Sequence, residues 1–529
     1  MTLCKWLSEN PKAEHAMYLA IDDGMSSREL LAHLKENYRF PFKNHTVLWT
    51  LMRARFRGKK VREQFQHTKK AVRAIERHRD FFITCAVSQP TQRMADDSLD
   101  LPAYISLRKA AEHCGGRVFV GCTRYKNPTY RGQACQNEVW PELLKEDGVI
   151  VENEMRPHQF LTVLNTKIQA TADNPIPRSM YRLTGPRSAI LCHPQLALRS
   201  CPVNHGPSKM IYSSGAITRP TGSTTLQGAV AEHDHRVAAI KVEIRGAKFH
   251  MREIVWDGEK WLDLGRAYTP QGVKRAPQPI GLSEGDLHFP IHDPEVDDAL
   301  WGPGGLVDVL RPKEVFHNDS WNGREVSRHT AHDVVEAMLM AHNRVEDGIR
   351  ELARYWEERM ARYPEIIHWE NLSNHDAWLD GWVRGGKCAP KDLEFFGWLT
   401  WQYAKAAREG RDPLALELAM EYVDAKVHPR FAKERDSRIL AGVQMIKHGH
   451  QGPNGARGSM ANMILDAQAA VYEHTHGPGI WKHTWWGGHS SRSRHGYNTG
   501  ASNWHKTSVL LHANGIPQML HFVGGEVTS

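Results

Sequence analysis

The run Ile280-Gly-Leu-Ser-Glu-Gly-Asp-Leu-His288 is a short apolar segment that ends in two potential metal ligands, Asp286 and His288. A run of this length, bounded by glycine, predicts a buried strand. Four later apolar runs end in similar groups of Asp, Asn and His side chains. These groups are Asn318-Asp319, Asn374-His375-Asp376, His448-Gly-His450 and His474-Thr-His476. Their repetition at strand ends predicts one metal site, and a metal-dependent hydrolase is the leading hypothesis.

Two of these groups, Asp286/His288 and His474/His476, have i, i+2 spacing. Successive side chains of a strand point to opposite faces of the sheet, so side chains two positions apart share a face. We therefore expect each pair to bind one ion from a strand.

Composition sets wide limits on the protein. A chain of 529 residues with 41% apolar residues is expected to fold into two to four domains. It has no apolar run long enough to span a membrane and no signal-peptide pattern at Met1–Asn10, so we expect a cytoplasmic protein without a membrane partner. Eight cysteines without a Cys-x-x-Cys pair argue against a disulfide framework and a thiolate zinc site. The net charge of +8 is compatible with a DNA partner without requiring one, and a homo-oligomer is also compatible with the sequence.

The sequence pattern divides the chain into three predicted regions. Residues 1–78 read as helical and basic, and a helix after Ser26 followed by one ending in Arg53, Arg55 and Arg57 fits a DNA-binding helix-turn-helix; a solvated basic face is the alternative. Residues 79–275 are α/β to β-rich and begin with a βαβ pattern. Residues 276–529 alternate strands and helices, including a strand over 309–316 and a long amphipathic helix over 331–362, and end in a β tail with a hairpin at Asn514-Gly515.

The order of the polar groups resembles the calcineurin-like metallophosphoesterase superfamily, over residues from about 278 to 480. Its blocks Asp-x-His, Gly-Asp-x-x-Asp, Gly-Asn-His-Asp/Glu, His and Gly-His-x-His correspond here to the following segments. They are Gly285-Asp-Leu-His288, Asn318-Asp-Ser-Trp-Asn322, Ser373-Asn-His-Asp376, His448 and Glu473-His-Thr-His476. Asn318, Ser373 and Glu473 replace glycines and Asn322 replaces an Asp, which puts the loop geometry in question. The resemblance implies a four-layer αββα sandwich in the C-terminal half. The pattern of the rest of the chain adds a smaller α/β to β-rich domain and an N-terminal helical domain, so the expected fold class is α/β.

The resemblance also implies a site for two divalent metal ions. In it Asp319 bridges the ions, Asp286, His288 and His476 complete the first ion, and Asn374, His448 and His474 complete the second. Mixed imidazole and carboxylate ligation favours Mn, with Fe, Ni or Zn as alternatives, over Ca. His375 is the implied catalytic group, oriented by Asp376 or Asp286, whereas we expect structural roles for His292, His317 and His450.

A narrower resemblance concerns three further segments. His448-Gly-His-Gln-Gly-Pro-Asn-Gly-Ala-Arg-Gly-Ser459, Gly496-Tyr-Asn-Thr-Gly-Ala-Ser-Asn-Trp504 and Arg124-Tyr-Lys-Asn-Pro128 are similar to the pre-early host-DNA-degrading nucleases of tequintavirus-type phages. This similarity implies a DNase that works in the host cytoplasm. Two alternatives stay open: a phosphomonoesterase or 5′-nucleotidase acting on small substrates, and a DNA-binding regulator with a vestigial metal domain.

The end of the chain interleaves aromatic and cationic side chains that can stack on bases and contact phosphates. These residues are Trp485, Trp486, Arg492, Arg494, Tyr497 and Trp504, and Arg457 lies in the glycine-rich segment before them. We therefore expect Arg457, Arg492, Arg494 and Trp504 to contact DNA. An aromatic β-layer with an exposed rim is the alternative.

Overall fold

The computed structural model divides the chain into two compact units, Met1–Ala74 and Ile75–Ser529. It describes residues 27–38, 80–88, 99–125, 135–136, 143–144, 147, 149–165, 168–204, 208–220, 225–327, 333–495, 498 and 500–527. In the first unit the helix predicted after Ser26 is confirmed, with Leu34 on its buried face. The predicted second helix, with Arg53, Arg55 and Arg57, lies outside the described residues.

The described part is a mixed α/β structure. Its helices are α1 Ser27–Tyr38, α2 Leu101–His113, α3 Arg178–Leu183, α4 Leu226–Asp234, α5 Pro294–Trp301, α6 Leu306–Leu310, α7 Val334–Leu339, α8 Val345–Arg362, α9 Asp376–Gly385, α10 Leu393–Arg408, α11 Ala415–Tyr422 and α12 Met460–Met463. Its strands are β1 Asp80–Ser88, β2 Arg117–Tyr125, β3 Cys135–Gln136, β4 Ile150–Val151, β5 Glu154–His158, β6 Leu161–Leu164, β7 Ser188–Leu191, β8 Leu196–Cys201, β9 Lys209–Ser214, β10 Ala238–Arg245, β11 Lys248–Val255, β12 Trp261–Asp263, β13 Arg266–Thr269, β14 Gly272–Arg275, β15 Gly281–Ser283, β16 Glu314–Asn318, β17 Ile367–Asn371, β18 Arg430–Ala432, β19 Ile439–Leu440, β20 Val443–Gln444, β21 Ala470–Tyr472, β22 Gly479–Trp481, β23 Thr484–Trp486, β24 Thr507–Leu511 and β25 Pro517–His521.

The described strands of the second unit form four sheets. One has the order β11-β10-β1-β2-β3, with β4 on β2, and the parallel pair β1 and β2 with α2 between them confirms the predicted βαβ pattern. A small sheet has the order β12-β13-β14. The two sheets that matter for the site have the orders β18-β17-β16-β15-β24-β25 and β19-β20-β21-β23-β22-β8-β9-β7-β6-β5. We call them the six-stranded sheet and the ten-stranded sheet.

The ten-stranded sheet joins parts of the chain that the sequence assigned to different domains. Strand β22 pairs antiparallel with β8, with Ile480 opposite Leu198. The boundary predicted near residue 275 therefore does not separate two sheets, and the proline-rich segment there connects β14 to β15. Short strands such as β20 and β22 bury their apolar side chains only by extending a sheet begun elsewhere in the chain.

The six-stranded and ten-stranded sheets share one apolar core. Val509 and Leu511 of β24 belong to the same buried cluster as Ile190 of β7 and Ile480 of β22. Helices cover the opposite faces: α5 and α6 pack on the six-stranded sheet, and α3 and α12 pack on the ten-stranded sheet. Helices α8 to α11 form a further cluster around Trp356, which also includes Leu287 and Trp321 next to the site.

Two sequence predictions in this region were wrong. The helix expected over 331–362 is interrupted, since α7 ends at Leu339 and α8 begins at Val345. The side chains of Val335 and Met338 are 65% and 72% exposed, so this part does not pack on a sheet. The strand expected from Val309 begins only at Glu314, because Val309 and Leu310 lie in α6 and Arg311 ends that helix with a left-handed backbone. The hairpin at Asn514-Gly515 is confirmed, with Gly515 at φ 79°.

Candidate metal centre

Strand ends position the polar groups of the site. In the six-stranded sheet the neighbouring strands β15, β16 and β17 are parallel, so their carboxyl ends lie at one edge. Asp286, Asp319 and Asn374 follow those three strands. In the ten-stranded sheet His448 follows β20, and His474 and His476 follow β21. The edge of a parallel sheet at its carboxyl ends is where open α/β structures bind ligands.

Four of the predicted ligands form a compact buried cluster. Asp286, His288, Asp319 and His476 each offer one ligand atom, and these atoms all lie within 4.8 Å of one another. The Nε2 atoms of His288 and His476 are 3.1 Å apart, and His476 Nε2 is 3.0 Å from Asp286 Oδ2. We call these four residues the core cluster.

His448 lies against the core cluster and connects it to two more predicted ligands. Its ring nitrogens are 3.6 Å from Asp286 Oδ1 and 3.4 Å from Asp319 Oδ2. The amide oxygen of Asn374 is 3.2 Å from His448 Nε2, and the ring of His474 is centred 5.2 Å from that of His448. The structure thus brings together all seven residues that the resemblance implied as ligands.

The backbone at these residues is unusual. His288, Asp319, His474 and His476 all have positive φ, at 53°, 43°, 70° and 56°. Non-glycine residues seldom adopt this conformation, and it concentrates at functional sites. The expectation that Asp286/His288 and His474/His476 converge by strand alternation was wrong, because both pairs lie beyond the last residue of their strand. Left-handed turns of the backbone bring the side chains together instead.

Unsatisfied polar atoms provide a test of whether these residues fit a metal. Both carboxylate oxygens of Asp286 and Oδ1 of Asp319 are buried without a hydrogen-bond partner among the described residues. Although His476 is close to Asp286, its geometry does not make a hydrogen bond. Buried carboxylates without partners are costly, and a bound cation removes that cost. Carboxylate oxygens and imidazole nitrogens together suit Mn, Fe, Ni or Zn, so the residues fit the implied metal.

The charges of the cluster are strongly coupled. Burial opposes ionisation of Asp319, but the nearby His375 and His448 hold the pKa of this carboxyl well below its usual value. Burial alone would lower the pKa of His448, yet Asp319 and Asp286 raise it to about 9. Burial and the neighbouring His375 hold the pKa of His288 well below its usual value, so this ring is neutral. Neutral imidazole and ionised carboxylate are the forms that bind metals, so His288 and Asp319 already have the metal-binding form and His448 would release its proton to a cation.

His375, the implied catalytic residue, lies at the side of the core cluster. Its ring is centred 4.6 Å from that of His288 and 3.9 Å from that of Trp378. Its Nδ1 is 2.7 Å from the main-chain oxygen of Asn322. A carbonyl only accepts, so Nδ1 carries the proton of the neutral ring. The orienting group is therefore this carbonyl, and the expectation that Asp376 or Asp286 would orient the ring was wrong.

Asp376 has a different role in the structure. Its Oδ2 accepts a hydrogen bond from Ser373 N at 3.0 Å, at the start of α9. Burial and the charge of Asp319 raise its pKa to about 7. Glu370 is a second buried acid nearby that the sequence analysis missed: it accepts hydrogen bonds from Ser320, and burial followed by Asp376 raises its pKa well above its usual value. A glutamate within the short strand β17, Ile-His-Trp-Glu-Asn, is the sequence signal that could have identified it.

Two more residues that lie beside the cluster had no assigned role at the metals. The ring of His495 is centred 4.7 Å from that of His288, and the ring of Trp504 is centred 4.1 Å from that of His476. Ser491 Oγ is 2.9 Å from His495 Nε2 and 3.0 Å from Nδ1 of the buried His489. The density of Ser, Arg and His over 489–495 is the signal in the sequence.

The remaining predicted residues divide into buried and exposed groups. His317 Nδ1 bonds Glu284 at 2.8 Å, and His292 stacks on Phe289, which agrees with structural roles. The ring of His450 lies 5.6 Å from that of His448. Trp485 and Trp486 are buried, so their assignment to a substrate surface was wrong and they belong to the aromatic β-layer. Arg457, Arg492 and Arg494 are exposed, and Tyr497 lies outside the described residues.

A second group of potential ligands is less suited to a cation. His233, Asp234 and His483 also place ligand atoms within 4.8 Å of one another. However, Lys482 Nζ is 3.5 Å from Asp234, and Arg236 lies 2.8 Å from His483 Nε2. These two cations already occupy the site.

No helix among the described residues is long and apolar enough to cross a membrane.

Comparison with known proteins finds a similar phage protein. Over 334 residues the chain is 29% identical to Protein A1 of Escherichia phage T5. The match covers 60% of this chain and 60% of that protein, so the chain spans less than two thirds of the relative's length. No family model matches the chain. No solved structure matches it.

Proposed function

We propose that this protein is a divalent-metal-dependent phosphodiesterase that degrades DNA. The observation that carries the proposal is the core cluster, in which four buried ligand-type side chains converge and three carboxylate oxygens have no hydrogen-bond partner among the described residues. Such an arrangement costs folding free energy unless a cation binds, so it indicates a functional site more than a structural one.

Asp286, His288, Asp319 and His476 would hold one ion, and Asn374, His448 and His474, together with Asp319, would hold a second. Two bound divalent ions would supply an activated water and would neutralise charge on the phosphoryl oxygens. Asp319 suits the shared position because it is close to both His288 and His448, at 3.8 Å and 3.4 Å. We propose Mn as the metal in use, with Fe, Ni or Zn as alternatives.

We further propose that His375 acts on the reacting phosphate. The Asn322 carbonyl fixes its Nδ1 as a donor, which leaves Nε2 as the nitrogen available to the substrate. Burial lowers the pKa of this ring, and a phosphate diester beside it opposes that shift by favouring the protonated form. A protonated Nε2 can donate a hydrogen bond to a phosphoryl oxygen or a proton to the leaving oxygen.

The fold of the C-terminal half is consistent with the implied αββα sandwich, which we propose as its architecture. The shared core of the two sheets and the helices on their opposite faces support it. DNA as the substrate is supported by the net charge of +8 and by the phage origin of the relative. A nuclease of this origin would act in the host cytoplasm.

A single set of assays tests the proposal. Purified protein is treated with chelator, reloaded with Mn or Ca, and given duplex DNA, single-stranded DNA, a small phosphodiester and a small phosphomonoester. We expect DNA and the diester to be hydrolysed with Mn, to a lesser extent with Ca, and not in chelator. An Asp286→Asn variant should lose this activity, whereas His342→Ala, at an exposed histidine, should keep it. Hydrolysis of the monoester alone would favour a phosphatase, and full activity in chelator would contradict the metal site.

A further inference from the structure

A groove of about 350 Å³ lies beside the core cluster, a volume within the range of small-ligand pockets. Its lining includes Asn204, Arg494, Asn498, Trp504 and Lys506. Among the described lining residues there are two cationic side chains, Arg494 and Lys506, and no acid. A groove with this lining fits an anionic ligand that also has an apolar face.

The wall of the groove is fixed to the backbone of the site. Val203 and Ser502 exchange two main-chain hydrogen bonds of 2.9 Å, and Asn503 Nδ2 donates to Ser200 Oγ at 3.0 Å. This wall touches Gly477, the residue after His476, so closely that a Cβ there would lie 2.2 Å from Asn503 Nδ2. A larger residue at this position would clash with Asn503, so glycine permits the close contact between the wall of the groove and the residue that follows His476.

Trp504 contacts both the groove and the core cluster. It lines the groove, and its ring is centred 4.1 Å from that of His476 and 5.0 Å from that of His495. The indole is half-buried, so part of it faces the open groove. A ligand stacked on this indole would be adjacent to the phosphate that the core cluster binds. Aromatic side chains in such grooves stack on unpaired bases.

The two cations of the groove differ in what they contact. Lys506 is paired with Asp293. Arg494 is exposed and has no ion-pair partner among the described residues. Arg494 is thus the side chain suited to a phosphate on the outer side of the groove, since a guanidinium binds phosphate with two parallel hydrogen bonds.

We infer that this groove binds one unpaired deoxynucleotide of a DNA strand, next to the phosphate to be cleaved, with the base on Trp504 and the neighbouring phosphate on Arg494. The inference rests on the proposed function, because it identifies the part of the substrate that this site takes. A base can stack on Trp504 only when it is not paired, so single strands, ends or locally opened duplex are the DNA that the groove accepts.

Binding of a fluorescent oligothymidylate in chelator, where no cleavage occurs, tests the inference directly. We expect the parent to bind this single strand more tightly than a duplex of equal length. Arg494→Gln should weaken binding and reduce the slope of log affinity against log salt by about 0.7, the value for one lost phosphate contact on a single strand. Trp504→Ala should weaken binding about 10-fold or more through lost stacking. Arg354→Gln, at an exposed arginine of α8, is the matched control and should keep the parental slope.

The outcomes separate this inference from the proposed function. The parent could cleave DNA with Mn while the Arg494→Gln and Trp504→Ala variants bind the oligonucleotide as tightly as the parent. That result would overturn the inference that the groove binds a nucleotide, and the proposed nuclease function would stand. If the parent cleaves no phosphodiester, the proposed function is wrong. The assignment of the groove to a nucleotide next to a cleaved phosphate is then wrong as well. Trp504→Phe, which keeps an aromatic ring, should recover part of the affinity and shows that a loss in Trp504→Ala does not come from misfolding.

Discussion

The candidate site depends on side chains whose backbone is held in the left-handed region. For His288, Asp319 and His476 this conformation costs roughly 1 to 2 kcal/mol each. Main-chain hydrogen bonds hold it in place: His288 N donates to Asp319 O at 2.7 Å, and His505 N donates to His476 O at 3.0 Å. The first bond joins two of the candidate ligands, so the loops after β15 and β16 fix each other.

Asn374 and His375 are neighbours with different expected roles, which allows metal binding to be separated from catalysis. Asn374→Ala removes an amide oxygen next to His448, so it should lower both the bound metal and the turnover. His375→Ala should retain the metal and reduce turnover by about two to four orders of magnitude, because it removes a proton donor to the reacting phosphate. Elemental analysis alongside single-turnover rates measures both quantities.

His342→Ala, at an exposed histidine, is the control for His375→Ala and should match the parent in both measurements. Near-parental turnover in His375→Ala would contradict the role assigned to this ring.

Residue chemistry and order were enough to identify the candidate ligands from the sequence, but not their geometry. Asp-x-His and His-x-His suggested strand alternation, whereas the structure uses positive φ at His288 and His476. A backbone held in a rare conformation by tertiary contacts leaves no mark in local residue preference. For the same reason the orienting group of His375 was missed, since a main-chain carbonyl such as that of Asn322 has no sequence signature.

At the element scale, Glu253 of β11 joins strands from three sheets. Its buried carboxylate accepts hydrogen bonds from Tyr212 of β9 at 3.0 Å, from Trp485 of β23 at 3.3 Å and from Met519 N of β25 at 2.9 Å. Burial raises its pKa from the ordinary 4.5 to about 7. Between these two values the folded protein keeps a proton that the unfolded chain has lost.

Stability should therefore depend on pH through this residue. The contribution of neutral Glu253 is fully present below pH 4.5 and is lost as pH rises through about 7. Glu253→Gln keeps the shape but has no proton to lose, so its stability relative to the parent should increase by up to about 3 kcal/mol from pH 4.5 to pH 8. Thermal melting of both proteins across this range measures it, and parallel pH profiles would contradict the assignment.

The shared core of the two large sheets can be tested at Leu511 of β24. Its side chain is fully buried in the cluster that also contains Ile480 of β22. Leu511→Ala should lower the free energy of unfolding by about 2 to 5 kcal/mol, because it removes buried apolar atoms and leaves a cavity. Leu465→Ala, where the side chain is 77% exposed, should change it by less than about 0.5 kcal/mol. Equal effects in chemical denaturation would argue against a common core.

Helices and strands with a strong local sequence pattern were predicted well, whereas those with a weak local pattern were not. The βαβ unit at 80–125 and the hairpin at 507–521 have clear runs and turn residues, and both are present. The break between α7 and α8 and the two-residue strand β20 depend on packing partners far along the chain. Such short elements have no preference of their own that is strong enough to detect.

At the scale of the whole molecule, the ten-stranded sheet explains why domain boundaries were hard to predict. Strands β5 to β9 come from residues 154–214, and β19 to β23 come from residues 439–486, yet they form one sheet. The proline-rich segment before β15 has the composition of a linker. The pairing of β8 with β22 joins residues far apart in the chain, so no local sequence pattern predicts it. The wall of the groove is also built from distant parts of the chain, since Val203 and Ser502 are about 300 residues apart in the sequence and form main-chain hydrogen bonds.

The same architecture predicts that a metal ion stabilises the folded protein as well as activating it. The two sheets bring Asp286 and Asp319 together in the interior with oxygens that lack hydrogen bonds among the described residues, so the metal-free state carries a cost that a cation removes. An ion that binds the folded state alone raises the free energy of unfolding by about 2.7 kcal/mol at a concentration 100 times its dissociation constant.

We therefore expect Mn to raise the melting temperature of chelator-treated protein. Asp286→Asn should lose most of this increase, and His342→Ala should keep it. A parent that melts at one temperature with and without Mn, and retains no metal on desalting, would show that the core cluster does not bind the ion.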